Sequence, residues 1–277
     1  MAIKIAKPTN NARRQLSFTD CRDLDNNPRV KSLTVGKNRI AGRNKAGKLV
    51  VAHRGGGAKR LYRLVDFRQT AFLGQKATVI SVEYDPNRSA NIAMIQYETG
   101  EKSYIIASDG LAKGAEVLCD DKALIRLGNR MKIKNIPVST QIHNVELVAG
   151  KGAQICRSAG SFATLVGVDE KYAQVKMPSG EIRKILAENF ASIGIVSNAD
   201  HSNIKIGKAG RVRHMGFRPT VRGKAKNPCD HPHGGGEGAT SIGMPYPKTP
   251  WGQPALGRRT RNKKKKGASL ILARRKK

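Results

Sequence analysis

The octapeptide ATVISVEY, residues 77–84, decides the fold class. Ile80, Val82 and Tyr84 alternate with Val79, Ser81 and Glu83, a period-two pattern that predicts a strand with one buried face. Working outward, residues 61–67, 91–97 and 103–107 are short runs of the same kind, rich in β-branched and aromatic side chains. Turn clusters separate them, Asp85-Pro86-Asn87 and Glu98-Thr99-Gly100 among them. The pattern predicts a small all-β unit.

Periodicity lapses over residues 111–130 and then resumes. Residues 131–138, 141–148, 162–168, 171–177, 181–186 and 193–196 read as a second series of strands, with Met177-Pro178-Ser179-Gly180 as a hairpin turn. Two consecutive small barrels fit this spacing better than one large sandwich. The predicted division is a basic N-terminal extension over 1–59, one barrel over 60–125, a second over 126–197 and a Gly/Pro-rich basic extension over 198–277. Strands are predicted to stop after Ser197. Residues 258–277 contain no acid and carry an unbroken lysine run at 263–266, so that tail is predicted to lack order in the free protein.

Charge limits the function. Among 277 residues, 52 Lys+Arg face 20 Asp+Glu, for a net charge of +32. A globule with that excess repels itself unless a polyanion accompanies it, which points to nucleic acid and away from an ordinary soluble enzyme. No run of about 18 apolar residues exists and residues 1–7 lack the apolar core of a signal peptide, so the chain reads as intracellular, with no membrane partner. Cys21, Cys119, Cys156 and Cys229 include no Cys-x-x-Cys pair, and suggest neither a disulfide framework nor a zinc ribbon. At 5 % aromatic residues, recognition should lean on phosphates and nucleic-acid shape.

Two segments are built for close approach. In His53-Arg54-Gly55-Gly56-Gly57-Ala58-Lys59-Arg60, three glycines sit between cations, which suits a backbone lying against phosphate. The second, RVRHMGFRPTVRGKAKNPCDHPHGGGEG at 211–238, offers almost no apolar period and many cations. Its His233-Gly234-Gly235-Gly236 resembles an esterase oxyanion-hole segment, but the Gly-x-Ser-x-Gly elbow and α/β pattern that segment needs are missing. Cys229, Asp230, His231 and His233 cluster without the second ligand pair that zinc sites ordinarily use. No phosphate-binding P-loop or dinucleotide fingerprint emerges, and His143 reads as a half-buried strand histidine. Neither a cofactor, a catalytic residue nor a small-molecule substrate is predicted. Arg88, after the Asp85-Pro86-Asn87 turn, and Arg157, in the loop before Phe162, are placed to grip phosphate.

The segments HRGGGAKRLYRLVDF (from 53), EYDPNRSANIA (83), NIPVSTQIHNVE (135), CRSAGS (156), RPTVRGKAKNPCDHPHGGGEG (218) and TPWG (249) resemble, in order, those of large-subunit ribosomal protein L-two, bacterial or organellar type. The resemblance implies an oligonucleotide-binding (OB-fold) barrel followed by an SH3-like barrel, with basic arms threaded through large-subunit rRNA. It implies rRNA binding and assembly, other ribosomal proteins and the small subunit as partners, and a ribosome of the cytoplasm or of an organelle. Arg88 and Arg157 match the family's barrel-loop contacts, and His231 matches a histidine linked with peptidyl transfer, read here as support of RNA architecture. The remaining rRNA-binding candidates are Arg54, Lys59, Arg60 and Arg68 in the first half, Arg213, Arg218, Arg222 and His233 in the glycine-rich segment, and Arg258, Arg259 and Arg261 in the tail. Composition alone also admits a general nucleic-acid chaperone.

Overall fold

The structure is a computed structural model that describes residues 3–26, 29–238, 240–258, 260, 262, 264 and 266–275. The chain forms two compact units, one of Met1–Asn38, Lys59–Lys208 and Ser269–Lys277, the other of Arg39–Ala58 and Ala209–Ala268. The fold is mainly β, in the order expected, with both barrel sheets in the first unit.

In that unit β1 (Ile3–Ile5) pairs with β2 (Ser17–Thr19), and β3 (Thr34–Gly36) with β4 (Leu61–Arg63). An antiparallel sheet follows from β5 (Lys76–Glu83), β6 (Ile92–Tyr97), β7 (Lys102–Ile106) and β8 (Glu116–Leu118), in the spatial order β7-β6-β5-β8. The expectation of one buried face on β5 needs correction. Register slips between Val79 and Ser81, so a bulge shifts the alternation. Val79 packs with Ala93, Ile95 and Ile105 and is joined there by Val82, while Ile80 packs on Ile92, Met94 and Tyr104. Residues from the predicted arm, Val30 and Leu33, cover this second cluster together with Val65. Both faces are therefore covered, and Ser81 and Glu83 are buried while Tyr84 is exposed. Their polarity is satisfied internally: Ser81 donates to Glu83 at 3.0 Å and the Tyr104 hydroxyl donates to the same carboxylate at 3.4 Å.

The second sheet contains β9 (Arg130–Lys132), β10 (Gln141–His143), β11 (Ala163–Val168), β12 (Tyr172–Lys176), β13 (Ile182–Leu186), β14 (Phe190–Ile193) and β15 (Ile271–Ala273). Its order is β15-β13-β12-β11-β10-β14-β9, antiparallel throughout. The predicted hairpin closes where Gly180 N–H returns to Met177 and Met177 N–H reaches Glu181, both at 2.8 Å. Two expectations fail here. Strands do not stop after Ser197, because Ile271–Ala273 adds to the edge at β13, and this part of the tail is ordered by backbone pairing its composition did not announce. His143 is fully buried, its Nδ1 bonded to Gly194 O at 3.0 Å and its Nε2 to Ser108 at 3.3 Å.

A buried ion pair sits inside this barrel. Arg130 meets Glu146 at 3.0 Å with both side chains inaccessible to solvent, and Arg130 also donates to Asn144 O at 2.7 Å. No helix of the described residues is long and apolar enough to cross a membrane. The second unit is loops, a short helix α1 (Ala209–His214) and a 3-10 turn at Gly223–Ala225.

Candidate nucleic-acid interface

The loop between β5 and β6 starts as an Asx-turn. Asp85 accepts from Asn87 N–H at 3.0 Å, as Asp-x-Asn sequences favour. The Asp85 side chain is fully buried and takes Arg88 Nε at 2.6 Å and Arg63 at 3.7 Å. Arg88, its side chain 13 % exposed, also donates to Arg63 O at 3.3 Å and lies near the rings of Tyr62 and Phe67. The structure thus places Arg88 inside an ion-pair network that shapes the loop. Sequence reasoning missed Arg63, which reaches both Glu83 and Asp85. Its strand parity carried no sign of that role.

Arg157 is placed differently. It is exposed, its guanidinium lies 4.7 Å from the Phe67 ring centre, and one nitrogen donates to Ala153 O at 3.2 Å. Stacking on one face and a single backbone anchor hold the fork while leaving donors for an external acceptor. The loop carrying it is tied back where Ala159 N–H donates to Ser89 Oγ at 3.1 Å and Asn198 donates to Ser89 O at 2.7 Å. This brings the Arg157 loop to the Arg88 loop. Arg60 donates to Pro86 O at 2.7 Å in the same neighbourhood, and Lys59 lines the adjoining cleft with Arg60 and Arg63. Arg68 is exposed, its backbone N–H held by Asp66 at 2.8 Å.

In the second unit the glycine run approaches the protein's own chain. Gly55 N–H donates to Gly216 O and Ala58 N–H to His214 O, both at 2.9 Å. A Cβ on Gly57 would come within 2.8 Å of Gly216 N and His214 O, so the close approach read from the sequence is to the C-terminal end of α1. The pairing fixes the cations around it. Arg54 lies 4.1 Å from the Phe217 ring centre and stays exposed, Arg218 is exposed with its N–H on His53 O at 2.9 Å, and Arg222 is exposed at the start of the 3-10 turn. Arg213 is half-buried, and its Nη1 is buried with no hydrogen-bond partner among the described residues.

The histidines form a self-contained loop. His233 N–H donates to His231 Nδ1 at 3.1 Å, and Lys248 N–H donates to His233 Nε2 at 2.8 Å. The nitrogens left outside these two bonds are therefore Nε2 of His231 and Nδ1 of His233. Burial, then the charges of His233 and Lys226, holds His231 below the usual histidine range. A neutral His231 with Nδ1 already accepting offers an N–H donor, not the open lone pair of a general base. Gly234 N–H bonds to His231 O and Gly235 N–H to Lys226 O, so these two amides are used inside the loop and do not await an oxyanion. Gly223 was not singled out by the sequence: a Cβ there would lie 2.6 Å from the His231 ring. Among the described residues no group of three or more His, Cys, Asp and Glu could hold a metal ion. Arg258 is exposed and donates to the Gln253 side chain, whereas Arg259 and Arg261 lie outside the described residues.

Exposed, oriented cations therefore stand beside a histidine loop whose rings are bonded to its own backbone. The family model described as Ribosomal Proteins L2, RNA binding N-terminal domain, matches residues 30–119, and that described as Ribosomal Proteins L2, C-terminal domain, matches residues 126–252. The chain belongs to the ribosomal protein L2 family. It is a structural, RNA-binding protein of the large ribosomal subunit, with large-subunit rRNA and other ribosomal proteins as partners and translation as its process. The gap between the two L2 matches falls between β8 and β9, and the first match begins at Val30, one of the residues covering the first barrel's core.

Proposed function

We propose that the rRNA-binding surface is made of the exposed cations these loops orient. On the first unit these are Lys59, Arg68 and Arg157, with the half-buried Arg60 beside them and Arg88 shaping the loop. On the second they are Arg54, Arg218, Arg222 and Arg258, with the half-buried Arg213 beside them and His231 and His233 as hydrogen-bonding members, and Arg259 and Arg261 extend the set along the tail. The observation that carries this reading is Arg157, a guanidinium seated on Phe67 at 4.7 Å yet exposed to solvent. Such a group has lost much of its rotamer freedom before binding, which lowers the cost of contacting a phosphate. The barrels, bounded as 60–125 and 126–197, act as anchors, and the extensions 1–59 and 198–277 follow the RNA. In the assembled ribosome the protein contributes to assembly and subunit association, and the His231 loop supports the peptidyl-transferase region through RNA architecture while the RNA performs the chemistry. Cytoplasmic and organellar ribosomes both fit the chain.

The test is the salt dependence of binding to a large-subunit rRNA transcript. Replacing Arg54, Arg218 and Arg222 together with alanine should flatten the slope of log K against log[salt] by roughly 2–3, since each phosphate contact contributes about 0.7–0.9. An unchanged slope would remove these three from the interface.

A further inference from the structure

The sole tryptophan of the chain is Trp251, and the residue is 84 % exposed. Tryptophan presents a large apolar face that soluble proteins ordinarily cover at least in part. Here the exposure is built. Trp251 caps a tight turn in which Thr249 N–H donates to Gln253 O at 2.7 Å and Gly252 N–H returns to Thr249 O at 2.9 Å. Lys248 and Pro254 form a bridge below it, and Ala255 N–H bonds to Pro247 O at 2.8 Å. Gly252 takes φ +77°, the left-handed conformation that closes the turn. The base of the turn is tied to the histidine loop by Lys248 N–H on His233 Nε2 at 2.8 Å. A short, multiply bonded turn thus holds an indole outward from a fixed base.

Its surroundings select the partner. From residue 238 to the end the sequence contains no Asp or Glu, and an open hollow of about 530 Å³ beside the turn is lined by Thr249, Gln253, Pro254, Ala255, Arg258 and Thr260. A stretch with cations and no acid favours a polyanion, and Arg258, on the hollow and seven residues after Trp251, supplies a guanidinium with donors beyond the one given to Gln253; together they suit a nucleotide, base on the ring and phosphate on the guanidinium. Duplex bases are already stacked on one another, so the ring requires an unpaired one.

We infer that Trp251 is a stacking platform for one unpaired nucleobase of the RNA, with Arg258 holding an adjoining phosphate. The inference rests on the RNA-binding reading above and adds the chemical form of one contact. It adds one base contact to a recognition expected to lean on phosphates and nucleic-acid shape.

Because Trp251 is the only tryptophan, its emission reports the contact directly. The full-length chain is titrated with a large-subunit rRNA transcript at fixed salt. Stacking predicts quenching at saturation, and Trp251→Leu, which keeps apolar bulk without a π-face, should weaken binding about tenfold, the equivalent of ~1.4 kcal/mol. Trp251→Phe should recover most of that loss. The salt slope should stay unchanged in both variants, because an uncharged contact releases no counterions. Tight binding with unquenched emission, or a Leu variant within twofold of the native affinity, overturns the platform while leaving the RNA-binding reading intact. Emission unchanged by rRNA but shifted to the blue in assembled large subunits would identify a protein pocket as the occupant and equally overturn it. Absence of any rRNA binding would defeat the underlying reading, and this inference with it.

Discussion

Replacing Arg88 with alanine separates scaffold from contact. Asp85 is fully buried and Arg88 reaches it at 2.6 Å with a side chain only 13 % exposed. Breaking a buried pair by deleting one partner ordinarily costs about 3–5 kcal/mol, because the other charge stays uncompensated. Here Arg63 remains at 3.7 Å and Asn87 still donates through its backbone N–H at 3.0 Å and its amide at 3.1 Å. The cost should therefore fall below that range, about 2–3 kcal/mol, which for a unit of this size lowers Tm by roughly 4–12 °C. Arg157→Ala supplies the contrast. That residue is exposed and has one backbone anchor, so Tm should move by no more than about 2–4 °C while rRNA affinity falls by ~1–3 kcal/mol. Calorimetry of each variant and equilibrium binding to a large-subunit rRNA transcript give the two readouts. An Arg88→Ala protein with native Tm and lost binding would refute the assignment of roles, as would an Arg157→Ala protein that melts early and binds normally.

Glu146→Ala should destabilise the second barrel by about 3–5 kcal/mol, since it strands an Arg130 fully shielded from solvent, and a calorimetric Tm within ~2 °C of native would contradict this. Burial lowers the His143 pKa to about 4, against 6.5 for the free group. The unfolded chain binds that proton first, so stability is full above pH 6.5 and falls as pH drops towards 4, by about 3 kcal/mol in all. Urea unfolding across this range should show the loss in the native chain and its absence in His143→Gln. Gly223→Ala should push the His231 ring out of place, break the His233 N–H contact and raise the His231 pKa back towards 6.5. Imidazole proton shifts followed by NMR would show this, and an unmoved titration would count against the packing described.

Strand content was readable in the sequence because β-branched runs alternate with turn residues. The 177–180 hairpin is one such case, and the Asp85-Pro86-Asn87 turn is another, its Asx hydrogen bond appearing only in the structure. The exact faces were not readable. A bulge at Ile80 reverses the parity of β5, and a bulge depends on the partner strand, which no local pattern specifies. Long-range pairing hid β15 for the same reason: Ile271-Leu272-Ala273 is too short to read as a strand until β13 lies beside it. The candidate site was legible as charge and only partly as geometry. Arg88 and Arg157 look equivalent in sequence, each an arginine in a loop with small neighbours. What separates them is a buried carboxylate within reach of one and an aromatic face beneath the other. The three glycines at 55–57 were read as backbone for close approach to phosphate; Gly57 does approach closely, but what it meets is the chain's own backbone at the end of α1, His214 and Gly216, 157 and 159 positions further along. Gly223 carried no signal, since its role appears only when the His231 ring packs against it.

The central claim is specific recognition of large-subunit rRNA. Competition binding of the full-length chain at ~150 mM salt, between a large-subunit rRNA transcript and shuffled RNA of equal length, tests it most directly. Specific recognition should give at least about 10³-fold preference for the large-subunit transcript. Equal affinity for the two RNAs would contradict it and leave only charge-driven binding.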